Sequence, residues 1–290
     1  MQLNTQIPIY YHIPKCGGTY ILNLYEYLSR QYRNHNILYD KQNFTSTKLR
    51  VSLNNNKFVD IVTIVKKQDL LEFGFKSNYT SNNFEDVYYE VLSIKELYNF
   101  VNKYNVKITS IFIQPTGDGN MLESRNEVDK FVSCIEQKPR YFVIIRDVFD
   151  RLYSQYCYLK SEISSHENTR QSVANYNDFE DFLINAENYT NMITGHIAYN
   201  LVLDDNSFDK VKEFFSNFTI GTMESIHKTA MDIWNDCHDL PKRLSRNNFY
   251  RNANKDKKNI SINDISDKAK KQFLLKTKWD RKLYAYLSQK

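Results

Sequence analysis

The chain has 290 residues, 41% of them hydrophobic, enough to bury a sizeable core within one domain spanning 1–290. Its formal net charge of +5 is mild and diffuse, which suits an anionic ligand and argues against nucleic acid as the partner. No apolar run approaches the ~18 residues of a membrane span, and the opening MQLNTQIPIYY lacks the basic region and cleavage site of a signal peptide, so a soluble, cytoplasmic protein is expected.

Ile7 to Ile13 is a short apolar run that predicts a buried strand. Pro14 stops it, Lys15, Cys16, Gly17, Gly18 and Thr19 predict a tight turn, and a helix follows. Ile21, Leu24, Tyr25 and Leu28 fall at i, i+3, i+4 and i+7, so one helical face is apolar and can lie against the sheet. The first turn of a helix carries backbone N–H groups without intrahelical acceptors and the positive end of the peptide dipoles. Two glycines let the backbone approach an anion closely, and Lys15 adds a full charge beside it. The same residues could also form a plain strand-to-helix turn with a solvated lysine. A Walker A loop needs its lysine after the glycines, and here Lys15 precedes them; the GxGxxG pattern of dinucleotide folds is absent.

Lys48 to Leu53 and Phe58 to Val65 predict two strands across the turn Asn54 to Asn56, and Ser77 to Asn83 a polar loop. Ile94, Leu97, Tyr98 and Val101 repeat at helical spacing, Val106 to Ile113 predicts a strand, and Gly117 to Asn120 opens a loop. Val128, Phe131, Val132 and Ile135 mark a helix leading into the continuous apolar run Tyr141 to Ile145, which predicts a central strand. Arg146 stands at that strand's C-terminal end, where ligands bind in open α/β sheets. A helix from about Phe149 carries Leu152, Tyr156 and Leu159 on its inner face. Ser154 lies off that line and in reach of the anion that Arg146 would hold. Arg146 and Asp147 could alternatively form a structural ion pair.

Ser161 to Tyr176 is polar and predicts a loop; Phe179, Phe182 and Leu183 start a helix, Phe208 to Phe215 another, and Ile226, Ala230 and Ile233 a third. Arg243 to Lys258 is a basic loop, and a last helix is predicted from about Ser266. Strands alternating with helices imply an α/β fold with a mainly parallel sheet flanked by helices. Cys16, Cys134, Cys157 and Cys237 show no metal or redox spacing and are expected to be free thiols; Cys16, beside Lys15 at a helix N-terminus, could gain thiolate character. His35, His166, His227 and His238 show no partner pattern and are expected at the surface.

His12-Ile-Pro-Lys-Cys-Gly-Gly-Thr19 resembles the HIPKTGGT signature of the Golgi-type carbohydrate sulfotransferases, with Cys16 in place of the common threonine. Arg146-Asp-Val-Phe-Asp-Arg-Leu-Tyr-Ser-Gln-Tyr156 resembles that family's RDPxxRxxSxY motif, with Val148 for the proline. Asn188 to Gly195 resembles its NxQTRxLxG segment without the glutamine and arginine, Phe218 to Glu224 its VGxxE turn, and Asp280 to Leu287 its DxxLYxxA ending.

The resemblance implies a P-loop-like sulfotransferase fold and transfer of a sulfuryl group from 3′-phosphoadenosine 5′-phosphosulfate (PAPS) to an acceptor hydroxyl, most plausibly of a carbohydrate, with 3′-phosphoadenosine 5′-phosphate (PAP) as product and no metal. Lys15, Cys16, Gly17, Gly18, Thr19 and Tyr20 would hold the 5′-phosphosulfate, Arg146 and Ser154 the 3′-phosphate, and Arg251 or Lys255 would close over that phosphate. Lys15 is also expected to act in catalysis, by neutralising charge on the leaving phosphate. The histidine that serves as general base in part of the family has no counterpart between His35 and His166. Asp118 is the first candidate in its place, with Glu90 and Glu123 next and His12 and His196 behind them. The animal relatives are membrane-anchored; this chain shows no such anchor, which points to a microbial or viral source. The rival expectations are a P-loop-like kinase or phosphotransferase, which would prefer ATP and Mg²⁺, and a non-catalytic glycan-binding relative.

Overall fold

β-Branched and aromatic residues build a seven-stranded sheet in the computed structural model, which describes residues 6–35, 38–40, 42–53, 57–74, 91–104, 106–113, 121–160, 173–186, 191–198, 202–238 and 260–290. The strands are β1 (Gln6–Tyr11), β2 (Phe44–Leu53), β3 (Lys57–Lys66), β4 (Val91–Ser93), β5 (Lys107–Ile113), β6 (Lys138–Ile145) and β7 (Thr219–Thr222), in the spatial order β4-β2-β3-β5-β1-β6-β7. β1 lies between β5 and β6 and is parallel to both; β6 with β7 and β2 with β4 are parallel as well. β3 runs antiparallel to β2 and to β5, so the sheet is mostly parallel but mixed. The departure from parallel order comes from the β2–β3 hairpin, where Arg50 sits opposite Asp60 and grips the buried carboxylate through Nε at 2.8 Å and Nη2 at 3.2 Å.

Among the described residues the helices are α1 (Gly18–His35), α2 (Lys67–Phe73), α3 (Ile94–Tyr104), α4 (Met121–Cys134), α5 (Val148–Lys160), α6 (Phe179–Asn185), α7 (Met192–Ile197), α8 (Asp205–Phe214), α9 (Ile226–Cys237), α10 (Asp267–Lys276) and α11 (Lys278–Leu287). Successive strand residues point to opposite faces, so β1 sorts the helices into two layers. Tyr10 meets Phe112 and Phe142, its neighbours on β5 and β6, and those rings meet Tyr25 of α1, which in turn packs on Trp234 of α9. Tyr11, one residue on, faces Phe214 and Phe215 at the end of α8 and Phe218 just before β7. Helices therefore cover both faces, as a sheet with parallel central strands requires. Among the described residues no helix is long and apolar enough to cross a membrane.

Three details differ from expectation. The first strand ends at Tyr11, although His12 still donates its N–H to the Ile113 carbonyl at 3.0 Å. The C-terminal helix is two helices broken at Thr277, whose hydroxyl donates to the Phe273 carbonyl at 2.6 Å. His238 is buried at 3% exposure, with Nε2 at 2.8 Å from the Thr109 carbonyl, and burial pushes its imidazole down to about 3.

Candidate functional site

The turn after β1 is tighter than its glycines alone require. Cys16 donates its N–H to the Ile13 carbonyl at 3.1 Å, closing a four-residue turn with Pro14 in second place and Lys15 in third at φ +66°. This is the pattern of a type II turn, whose third position favours glycine. A lysine held there stores strain of about 1–3 kcal/mol, and strain of that kind clusters at functional sites. Gly17 follows at φ +80°, and Ile21 donates the first intrahelical bond, to the Gly17 carbonyl at 3.1 Å. The N–H groups of Gly17, Gly18, Thr19 and Tyr20 precede any intrahelical acceptor and form the positive end of α1.

The glycines also have a packing reason that was not expected. A Cβ on Gly17 would overlap Ile226 at the start of α9, and one on Gly18 would overlap the imidazole of His12. They make room for protein side chains, and so pack α1 and α9 together around the turn. Cys16, expected among the binding residues, faces inward: its thiol is buried, its N–H serves the turn, and its carbonyl accepts the Tyr10 hydroxyl at 3.0 Å. Burial pushes that thiol up to about 12 against the opposing pull of Arg151 and Arg146, so the thiolate character that Cys16 could have gained beside Lys15 is opposed. All four cysteines are free thiols, as expected.

β6 delivers the second half of the site. β1 and β6 are adjacent and parallel, so their C-terminal ends lie side by side. Arg146, the first residue after β6, donates Nη1 to the Lys15 carbonyl in a long hydrogen bond of 3.4 Å. The two sequence signatures thus meet at one sheet edge. Asp147 does not serve Arg146 there; its Oδ1 accepts the N–H groups of Phe149 at 2.9 Å and Asp150 at 3.1 Å and so caps α5. Glu224, after β7, is held below the usual carboxylate range by the Thr222 hydroxyl and its own N–H, with a lesser pull from Arg146.

Along α5, Arg151, Ser154 and Tyr158 fall at i, i+3 and i+7 and share a face. Arg151 is fully buried and pairs with the equally buried Asp280 of α11 at 3.2 Å. The Asp280 carboxylate also accepts the backbone N–H groups of Ile193 at 3.3 Å and Thr194 at 2.9 Å, which ties α5, α7 and α11 together beneath the turn. At the other end of the face, the Lys15 ammonium lies 3.8 Å from the centre of the Tyr158 ring. Ser154 is half-buried between these two anchors.

Thr19 is exposed in the first turn of α1, and the Tyr20 hydroxyl is hydrogen-bonded to His227 Nδ1 at 2.6 Å. His227, expected at the surface without a partner, therefore belongs to the rim of the turn. Sequence reasoning missed Tyr158 as well, although its place four residues after Ser154 puts both on one helical face. Asp118, Glu90 and Arg251 lie outside the described residues, as do Lys255 and the loop 161–172. Among the described residues no three His, Cys, Asp or Glu side chains stand close enough to hold a metal. No protein-family model matches the chain, and no curated protein or solved structure is detectably similar to it.

Proposed function

We propose that the chain is a PAPS-dependent sulfotransferase with a P-loop-like sulfotransferase fold, acting on a hydroxyl of a carbohydrate acceptor. The observation that supports this reading is the hydrogen bond from Arg146 to the Lys15 carbonyl, which brings together the two stretches that would bind anions. The donor set suits a ligand with two separate anionic groups. One group would meet the Lys15 ammonium and the N–H groups of Gly17, Gly18, Thr19 and Tyr20; the other would meet the guanidinium of Arg146 and the hydroxyl of Ser154.

When bound, PAPS supplies an activated sulfuryl group on a phosphate leaving group. Lys15 and the first-turn amides oppose negative charge gathering on that phosphate, and in such arrangements losing one donor costs about 3 kcal/mol. They are already in place in the folded turn, so little reorganisation is needed. Arg146 and Ser154 select for a 3′-phosphate, which ATP lacks. The acceptor hydroxyl must lose its proton as it attacks, and Asp118 remains the first candidate base.

The test is calorimetric titration with PAP and with ATP–Mg²⁺, alongside a screen of glycan acceptors with radiolabelled PAPS. The expected result is PAP binding, preference over ATP, and labelled glycan. Lys15→Gly suits the turn geometry and should keep the fold while abolishing transfer. Absence of PAP binding by the wild-type protein overturns the reading.

A further inference from the structure

We infer that the outer face of α10 docks on a bilayer surface carrying anionic phospholipid. The inference is independent of the sulfotransferase reading and starts from how α10 is seated. Ala269 and Phe273 are its buried residues, and the Phe273 ring packs edge-on against Phe149 of α5, 5.5 Å between centres. Helical turning of about 100° per residue then puts Lys268, Lys271, Leu274 and Leu275 on the opposite side, with Lys278 following where α11 begins, and all five are exposed.

Two observations set this face apart. Leu274 is 44% and Leu275 69% exposed, and among the described residues they are the only consecutive pair of large apolar side chains left so open. Single exposed leucines are ordinary, whereas a leucine pair flanked by lysines is the pattern of a helix that lies in a membrane interface. The second observation is how the cations are employed. Lys276 turns inward and donates to the carbonyls of Ile184 at 2.6 Å and Ala186 at 3.3 Å, while Arg281 donates to the Leu274 carbonyl at 2.9 Å, so both fasten the end of α10. Lys282 bonds Asp205 of α8, and Lys270 stands 3.8 Å from Asp267, the one acid of α10. Lys278 rests 4.7 Å from the centre of the Trp279 ring and feels Asp205 at longer range. Lys268 and Lys271, one and two turns before the leucines, form no ion pair among the described residues.

This mixture of groups selects the partner. A nucleic acid or a sulfated glycan presents anions along its whole surface, so Leu274 and Leu275 would face phosphates or sulfates and gain nothing. A bilayer offers each group its own depth: the leucines enter the acyl boundary, and the lysine stems reach back so that the ammoniums meet headgroup phosphates. Anionic lipid adds an attraction for every lysine that a neutral surface lacks. With 10 residues, α10 is about 15 Å long, so the attachment is peripheral.

The test is co-sedimentation of the full chain with vesicles of phosphatidylcholine alone and of phosphatidylcholine and phosphatidylglycerol in equal parts. The protein should pellet with the anionic vesicles and stay in solution with the neutral ones, and added salt should weaken the binding. Leu274→Ser/Leu275→Ser should lower the partition coefficient about 10-fold or more. Lys268→Gln/Lys271→Gln should lower it roughly 25-fold, about 5-fold for each lysine at the surface. Lys95→Gln/Lys130→Gln removes the same charge from exposed positions of α3 and α4 and should leave partition unchanged. Circular dichroism checks that each variant stays folded. Wild-type protein that does not pellet with the anionic vesicles overturns the inference. A leucine variant that binds like the wild type also overturns it and points to a polyanion as the partner, and an equal loss in the Lys95/Lys130 variant overturns it in favour of net charge alone.

Discussion

Arg146 Nη1 stands 3.4 Å from the carbonyl oxygen of Lys15, so the guanidinium that ends β6 helps hold the turn that ends β1. Part of the fork steadies the turn, and under the proposed function the rest would meet a ligand phosphate. Arg146→Lys keeps the charge and removes the planar fork. Hydrogen bonds to charged groups are worth about 1.5–3 kcal/mol, so PAP affinity should fall roughly 10–100-fold in that variant while thermal stability changes little. Calorimetry decides it, and unchanged affinity would remove Arg146 from the binding set.

Gly18 and His12 should behave as a coupled pair. A Cβ on Gly18 overlaps the imidazole, so Gly18→Ala forces the ring or α1 to move, at a cost of about 1–3 kcal/mol. Shrinking the neighbour by His12→Ala should restore much of that loss. Gly17→Ala is different, because its φ of +80° disfavours any side chain whatever the space. Chemical denaturation of the three single variants and the Gly18/His12 double variant measures the coupling; simple additivity would refute it.

Arg151 and Asp280 form an ion pair with both side chains fully buried. Removing one partner of such a pair strands a charge, and Asp280→Ala should cost about 3–5 kcal/mol. In an Arg151→Met background the same change should cost clearly less, since no guanidinium is left behind. Urea unfolding of the four proteins provides the cycle, and equal costs in both backgrounds would count against the pair.

His238 should give the protein an acid-sensitive core. Burial holds its imidazole at about 3 in the folded state, against 6.5 for an unburied histidine, and Nε2–H is used on the Thr109 carbonyl. Between these values the unfolded chain binds the extra proton, so stability is complete above about pH 6.5 and falls as pH drops toward 3. The slope is at most about 1.4 kcal/mol per pH unit. His238→Gln retains a donor for Thr109 and has no such titration. Its unfolding free energy should vary less between pH 7 and 5 than that of the wild type, and matching slopes would show that His238 is not responsible.

The strands and helices that carry the site were legible because their signals are local. Ile7 to Ile13 and Tyr141 to Ile145 are unbroken apolar runs, and the spacing of Ile21, Leu24, Tyr25 and Leu28 sets the buried face of α1, all four being buried. The packing reason for Gly17 was not legible, because Ile226 reaches the turn from more than two hundred residues away in sequence. The same distance hid the hydrogen bond between Tyr20 and His227. The burial of Cys16 was hidden for a related reason: helix position allows reactivity, while burial beside Tyr10, which local sequence does not report, opposes it. The break at Thr277 carries neither glycine nor proline. It is fixed from outside, by the Asn191 side chain accepting the Trp279 N–H at 2.9 Å, so no local stop signal exists to be read.

The interior place of β1 has a consequence for biosynthesis. Ile9 is paired with Ile111 on one side and Tyr141 on the other, both of which emerge from the ribosome long after it. Such distant parallel pairing forms slowly. A nascent chain that stalls before Ile145 would carry the lysine bend with only one flank of the sheet to hang it on, and half of the polypeptide must be synthesised before that bend has a strand on each side.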